Sequence, residues 1–324
     1  MWGVFEECSA LVSVRLPNGI TNINPFTLHG CISLTKVHIP NSVTPIEEGA
    51  FHSCHQLTSI TIPDSVTYIG RSAFYKCIAL IKVNIPTTIT FINESTFFKC
   101  RSLREVHIPS TVTSIKDYAL YYCASLHTII FSMNITCIGI WAFGSCSSLT
   151  KVNIPNSVIQ IRDGAFSECT SLVSVFIPAS VKYFGDSMLP GSSVLRVAVI
   201  LCPISRADVY KLLETSSQLS ILVLSNTVFK LLDASIISNR NSKCRVLADC
   251  HSAHIDATQA LYWNIHTRCG YTKHKQVWLG NVLLVMNRLS NSSDTHIPRE
   301  MVYCILNNIE WSDMNINDNV SFTS

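Results

Sequence analysis

The sequence has few charged residues and no long apolar run. Charged side chains make up 14% of the 324 residues, against roughly a quarter in a typical globular protein. Because hydrophobic residues reach 48%, this scarcity of charge does not indicate a disordered chain. The net charge of only +3 is too small to predict a nucleic acid or another polyanion as the partner.

Membrane and export signals are missing as well. No apolar stretch approaches the roughly 18 residues that a membrane-spanning helix needs. The first eight residues contain two glutamates and no basic residue, so they do not resemble a signal peptide. We therefore predict a protein without a membrane span that resides in the cytoplasm. A surface or secreted location would follow if the N-terminus were truncated.

Catalytic and cofactor motifs are also absent from the sequence. It has no glycine-rich phosphate loop, no Gly-x-Ser-x-Gly and no His-Glu-x-x-His. Cysteines and histidines crowd into residues 244–274, but they include no Cys-x-x-Cys pair of the kind that zinc sites use. The sequence therefore predicts a protein that is not an enzyme and has no cofactor and no metal site.

Cysteine reveals the organisation of the chain. Fourteen cysteines are about 4% of the residues, fewer than the roughly 8–10% of a disulfide scaffold. Eight of them recur every 23 residues; a leucine follows each by three residues, a valine or isoleucine by six, and a proline follows seven of them by nine. Self-similarity at this period is typical of leucine-rich repeats. The eight positions are Cys8, Cys31, Cys54, Cys77, Cys100, Cys123, Cys146 and Cys169.

Each repeat encodes a strand that cannot stand alone. The pattern Leu-x-x-Val/Ile-x-Ile turns alternate apolar side chains inward, and the proline that follows lacks an amide hydrogen, so it ends the strand. Stacked units bury these side chains because each meets its copy one rung away. Rungs about 4.8 Å apart would permit disulfides between neighbouring cysteines. Since equivalent side chains point the same way, we predict buried, unpaired thiols instead.

The repeat has a recognisable family pattern. Residues 73–77 read Ala-Phe-Tyr-Lys-Cys, and from there to Leu172 the chain follows "aFxxCxxLxxvxiPxsVxxIgxxAF" almost without departure. Over residues 1–190 the chain thus resembles the BspA-type (Treponema-like) leucine-rich repeat family. The resemblance implies an α/β repeat solenoid, a right-handed superhelix with a parallel β-sheet. It also implies a module that binds proteins or other macromolecules without enzyme activity, in a family with some members on bacterial or protist surfaces.

The residues on either side of each central strand position are predicted to face solvent. They vary between repeats while the apolar frame is constant, as expected of a scaffold with a surface that recognises a protein partner. The alternative is a sheet face that is merely solvated. The surface is polar and mildly basic, and its last members include apolar residues. The candidate binding residues are Arg15, Lys36, His38, Lys82, Asn84, Glu105, His107, Ile130, Lys151, Asn153 and Phe176.

The regular period ends near residue 190. Residues 191–232 keep parts of the pattern, with the Leu-x-x-Leu-x-Leu signature at Leu219–Leu224. Ser205 and Asp208 have the spacing of a helix-capping box. We predict degenerate, longer repeats that cover the end of the core.

Residues 233–324 are predicted to form a small helical C-terminal region. Within it, residues 297–306 begin with Ile-Pro-Arg-Glu and end with Ile-Leu, which resembles the opening of an F-box. An alternative function is therefore a substrate-recruiting adaptor of a ubiquitin ligase. Too few residues follow for a complete F-box, so a helix that packs on its neighbours is the preferred interpretation.

The sequence begins inside a repeat, since residues 3–8 align with residues 49–54. The first full strand, Leu11–Leu16, would then be an unpaired edge over an open apolar core, and such edges recruit other chains. Two explanations stay open. The chain self-associates through this end, as a structural protein would, or the sequence is a fragment of a longer array, which we favour.

Overall fold

The computed structural model describes residues 3–187, 193–230, 232 and 245–248. Within them each 23-residue repeat forms one rung of a parallel β-solenoid. Apart from residues 245–248, the predicted helical region lies outside the described residues. The F-box-like segment and the crowded cysteines and histidines lie outside them too. The handedness of the superhelix stays a prediction.

The first sheet is formed by the strands that the repeat pattern predicts. Neighbouring strands pair in parallel and in register within three hydrogen-bonded groups, which are the first two strands, the next four and the last five, so that Val83 lies beside Val106, and Val106 beside Ile129. Numbered in chain order together with those of the second sheet, its strands are β1 (Ser13–Arg15), β2 (Lys36–His38), β4 (Ser59–Ile60), β6 (Lys82–Val83), β8 (Glu105–His107), β10 (Thr128–Ile130), β12 (Lys151–Asn153), β14 (Ser174–Ile177), β16 (Val197–Ile200), β17 (Ile221–Leu224) and β18 (Arg245–Ala248).

A second parallel sheet follows the proline turn of each rung. The sequence shows an apolar pair there, such as Val66 and Ile69, and both side chains are buried. The strands are only two residues long, too short for an alternating pattern to reveal them. They are β3 (Pro45–Ile46), β5 (Tyr68–Ile69), β7 (Phe91–Ile92), β9 (Ser114–Ile115), β11 (Cys137–Ile138), β13 (Gln160–Ile161) and β15 (Tyr183–Phe184).

Turns make up the third side of each rung. Two positions there have left-handed backbone in every regular repeat: one directly before the cysteine and one five residues before it. Non-glycine residues occupy most of these positions, although the conformation costs them roughly 1–2 kcal/mol. Hydrogen bonds between rungs hold the turns, such as the 2.7 Å bond that the Ser53 amide donates to the Tyr75 carbonyl. Residues 3–187 therefore contain strands and turns but no helix.

An apolar core fills the space between the two sheets and the turns. From Phe51 onward, the phenylalanines that precede the cysteines by three residues are buried and stack on their neighbours. We call this column the inner ladder. Its ring centroids are 5.3 Å apart between Phe51 and Phe74 and 5.5 Å apart between Phe74 and Phe97. After an interruption at Leu120, Phe143 and Phe166 continue it at 5.3 Å.

Seven of the eight periodic thiols are buried and unpaired, as predicted. Each donates a hydrogen bond to the carbonyl oxygen of the residue 26 positions earlier, with Sγ–O distances between 3.0 and 3.4 Å. Burial raises the pKa of the Cys31 thiol to about 11 and the pKa of the Cys77 and Cys169 thiols to about 12. The prediction is wrong for Cys8, which is exposed because, among the described residues, a neighbouring rung covers it on one side only.

The first sheet continues beyond the regular repeats, as the degenerate pattern predicts. A helix, α1 (Arg206–Thr215), replaces the turns after β16, and the Ser205 hydroxyl caps it by accepting a 3.1 Å hydrogen bond from the Asp208 amide. β17 forms at the Leu-x-x-Leu-x-Leu signature of Leu219–Leu224, and a one-turn helix, α2 (Asn226–Phe229), follows it. Among the described residues, the helices expected of the predicted α/β class therefore begin only at Arg206.

One strand lies within the region that is predicted to be helical. β18 pairs in parallel with β17, which places Val246 beside Leu222. Val246 is buried at the central inward position of its strand. This segment is therefore a further strand of the sheet and not part of a helix. The register partners Ala198, Leu222 and Val246 are 24 residues apart, against 23 in the regular array. This one extra residue per rung removes the segment from the 23-residue period.

Candidate binding face

The candidate residues lie on the outward side of the first sheet. In β2, for example, Val37 is buried between the exposed residues Lys36 and His38. Because the strands pair in register, the outward residues form two rows that cross the sheet. We call the outward side of β1 to β12 the strand face. Its exposed candidates are Arg15, Lys36, His38, Lys82, Asn84, Glu105, His107 and Ile130.

Charge on the strand face is mainly positive. The Lys82 Nζ atom lies 3.8 Å from a carboxylate oxygen of Glu105, and these side chains are 72% and 61% exposed. An ion pair this exposed contributes little to folding, so both charges are accessible to a partner. Lys151 and Asn153 are half-buried and mark the end of the strand face.

Ile130 is the main apolar feature of the strand face. Its side chain is 62% exposed and lies beside His107 of the neighbouring strand. A large exposed aliphatic side chain among polar neighbours gives a partner apolar area to bury, with a polar rim around it. Val12 and Ile81, at the edge of the same face, add further exposed aliphatic surface.

Sequence reasoning missed the column to which Val12 and Ile81 belong. This column lies two residues before the central strand position, and it also holds the exposed residues Arg104 and His127. The Arg104 amide donates a 3.2 Å hydrogen bond to the Ile81 carbonyl, so the ladder extends one residue beyond the assigned strands. The constant leucine directly before this column could have revealed it in the sequence, because that leucine marks the start of the extended segment.

Phe176 does not belong to the exposed surface, and the prediction is wrong there. Its side chain is only 5% exposed, and Val199, its register partner on β16, is 2% exposed. The outward positions of these two neighbouring strands are apolar, as in parallel strands that are buried on both sides. The solvent-exposed part of the sheet therefore ends before β14.

The described part of the chain holds neither a candidate metal site nor a candidate membrane span. No three histidine, cysteine, aspartate or glutamate side chains come together there in a way that could hold a metal ion. Among the same residues, no helix combines the length and the hydropathy needed to cross a bilayer.

The repeat frame agrees with a known family. The family model for the BspA type Leucine rich repeat region matches six copies, over residues 3–104 and 69–196. These matches cover more than half of the chain. The chain belongs to the BspA-type leucine-rich repeat family. The resemblance in the sequence is thereby confirmed, whereas no curated protein matches the chain.

Solved structures of leucine-rich repeat proteins are similar to this BspA-type chain. A leucine rich cell surface protein from Faecalibacterium prausnitzii is 29% identical, covers 64% of each chain and has a TM-score of 0.45. The T. pallidum Leucine Rich Repeat protein is 30% identical over 58% of this chain and 68% of its own, with a TM-score of 0.35. The chain thus spans less than two thirds of the Faecalibacterium protein.

Proposed function

We propose that this BspA-type repeat protein is a binding module that engages a protein partner through the strand face. Leucine-rich repeat solenoids are typical non-enzymatic scaffolds and generally mediate interactions between proteins. The observation that supports this proposal is the contrast within each strand between a constant inward position and variable outward positions. From β1 to β14 the central residue is a buried or half-buried valine or isoleucine, while its neighbours differ from rung to rung and are exposed from β1 to β10.

The composition of the strand face favours a protein over a highly charged polymer. Exposed aliphatic side chains at Val12, Ile81 and Ile130 lie among polar and charged residues. Protein interfaces combine apolar area with a polar rim in this way, whereas a polyanion requires a dense row of cations. The excess of basic residues, with Glu105 as the one acid among the candidates, favours a partner whose contacting surface is acidic.

A pair of charge-reversal variants tests the proposal. Lys36→Glu combined with Lys82→Glu reverses two exposed cations on the strand face. Lys116→Glu combined with Lys182→Glu reverses two exposed cations that flank the second sheet. Exposed substitutions of this kind usually change stability by within about 0.5 kcal/mol, so all three proteins should fold alike by circular dichroism.

Affinity purification with the intact chain identifies a partner, and direct titration of that purified partner then measures affinity for each variant. We expect the strand-face variant to bind at least about tenfold more weakly, with a larger difference at low salt, and the second-sheet variant to bind like the original chain. A partner that binds both variants with the original affinity would exclude the strand face as the contact.

The cytoplasm stays the proposed location, on the ground of the unpaired thiols, which suit a reducing compartment. A surface location is the competing proposal, since the Faecalibacterium relative is described as a cell surface protein. Fractionation of cells that express the native gene, followed by protease treatment of intact cells, separates the two. Digestion by external protease would contradict the cytoplasmic proposal.

A further inference from the structure

A second column of stacked rings lies outside the core, on the turn side of the rungs. His52, Tyr75, Phe98 and Tyr121 each follow an inner-ladder position by one residue and are half-buried. Their ring centroids are 4.5, 4.6 and 5.0 Å apart in chain order, with interplanar angles of 9°, 4° and 30°. We call these four residues the outer ladder. The inner ladder already fills the core, so the half-exposed rings need another explanation.

Three cations accompany the outer ladder. Lys76 Nζ lies 5.4 Å from the ring centroid of Tyr75, and Lys99 Nζ lies 5.3 Å from that of Phe98. The Arg101 guanidinium carbon lies 5.1 Å from the ring centroid of Tyr122. Among the residues that the structure describes, none of the three cations pairs with a carboxylate. Their charges lie beside aromatic rings and are not neutralised by a carboxylate.

Acidic residues are absent from the middle of this side of the solenoid. Six successive stretches, each from two residues before a cysteine to four residues after it, contain no aspartate or glutamate: residues 29–35, 52–58, 75–81, 98–104, 121–127 and 144–150. The same stretch holds Glu6 and Glu7 in the first repeat and Glu168 in the last regular one. The acid-free zone therefore contains the outer ladder and extends one repeat beyond it at each end.

Two carboxylates in an adjoining column, those of Glu94 and Asp117, are already engaged. Glu94 accepts from Arg71 at 2.8 Å, and Asp117 lies 3.5 Å from Arg162. Burial lowers the pKa of His52 to about 4, so this ring is neutral at pH 7. The positive potential of the zone therefore comes from Lys76, Lys99 and Arg101.

Stacking decides which part of each ring a ligand can reach. The faces of the Tyr75 and Phe98 rings are covered by their neighbours, which leaves the ring edges exposed. Ring edges carry positive partial charge and ring faces negative, so the exposed edges attract anionic oxygens. Nucleic-acid bases stack on open aromatic faces, which the interior of this ladder does not offer.

Trp141 ends the outer ladder. Its ring meets Tyr121 edge-on, with centroids 5.8 Å apart. The next rung has Gly144 at the ladder position, and a Cβ atom there would lie only 2.5 Å from the Trp141 ring. The four stacked rings thus form a defined strip of about 14 Å, the length of about four or five residues of an extended chain.

We propose that the outer ladder and its three cations form a second binding site, which takes an extended acidic segment of a partner protein. The carboxylates of the segment contact Lys76, Lys99 and Arg101 and the positive ring edges between them. This site lies on the turn side and is separate from the strand face, so the chain presents two binding surfaces.

The test uses the full-length chain and a fluorescently labelled peptide of alternating glutamate and alanine. About eight residues suffice to exceed the ladder. We expect the peptide to bind at low salt and expect Lys76→Gln, Lys99→Gln and Arg101→Gln together to weaken binding about tenfold or more. A peptide of alternating glutamine and alanine should not bind. Circular dichroism confirms that each variant is folded.

The matched control removes the same kinds of charge from the strand face: Arg15→Gln, Lys36→Gln and Lys82→Gln together. This variant should bind the acidic peptide as the original chain does. Failure of the original chain to bind the peptide, or an equal loss in both triple variants, would overturn the proposal. So would labelled oligothymidine or heparin that binds more tightly than the peptide and loses affinity only in the turn-side variant. The strand-face proposal has its own test, with a different partner and different variants.

Discussion

Within one short turn segment, some side chains belong to the core and others lie on the surface. In Phe74-Tyr75-Lys76-Cys77, Phe74 and Cys77 point into the core, Tyr75 stacks outside it, and Lys76 has the left-handed backbone that separates the two directions. A strict 23-residue period stacks identical positions whether or not they are buried. Burial then decides the role of each column, since inner columns stabilise the solenoid and outer columns are accessible to partners.

Ionising the inner thiols should break the solenoid more severely than any single substitution. Burial raises the pKa of Cys77 and Cys169 from 9.0 to about 12, so the folded state keeps these thiols protonated at pH values where the unfolded chain ionises. With a raised folded pKa, the stabilisation is complete below about pH 9 and is lost progressively between pH 9 and 12. Each such thiol costs about 1 kcal/mol per pH unit in that range.

Denaturant unfolding in reducing buffer at a series of alkaline pH values measures this loss. Replacing Cys77 and Cys169 by alanine should flatten the decline, while the exposed control Cys8→Ala should leave it unchanged. Native labelling with a thiol reagent, mapped by mass spectrometry, should modify Cys8 and spare Cys77. Equal labelling of both would contradict the buried column.

Matched truncations in the two ladders sharpen the comparison. Phe74 is fully buried between Phe51 and Phe97, so Phe74→Ala should cost about 3–5 kcal/mol of the free energy of unfolding. Tyr75→Ala removes a half-exposed ring and should cost only about 1–2 kcal/mol. Urea denaturation of both variants measures the difference. Equal costs would mean that the outer ladder is part of the core.

Substitutions at positions with left-handed backbone should change the free energy of unfolding least. Ser72 has a φ of 55°, and glycine adopts this conformation without steric cost. Ser72→Gly should therefore raise the free energy of unfolding by up to about 1 kcal/mol. Gly49 lies at the same position one repeat earlier, where a Cβ atom would lie 2.4 Å from the Phe26 ring. Gly49→Ala should consequently destabilise, and a gain in stability from it would contradict the assigned backbone.

Periodicity explains what could be predicted from the sequence. The inward positions from Cys31 to Cys169 follow from the 23-residue spacing, and the outward strand residues follow from alternation around each central valine or isoleucine. The second sheet could not be recognised because strands such as Tyr68–Ile69 are too short for a pattern. β18 was missed because the rung before it is one residue longer.

Burial of outward residues depends on neighbours that a periodic pattern does not specify. Ile130 and Phe176 occupy the same repeat position and are both apolar, yet one is exposed and the other buried. The outer ladder was missed for a related reason. Its members His52, Tyr75, Phe98 and Tyr121 share aromatic character but not residue type, and their importance became apparent only from the stacking of their rings.

The most direct test of the strand face is lysine modification of the purified complex. An amine-reactive reagent is applied to the chain alone and to the chain with its captured partner, and each lysine is quantified by mass spectrometry. Lys36 and Lys82 should become protected in the complex, while Lys116 and Lys182 should react as before. Unchanged reactivity of Lys36 and Lys82, with protection confined to lysines elsewhere, would contradict the assignment of the strand face as the binding surface.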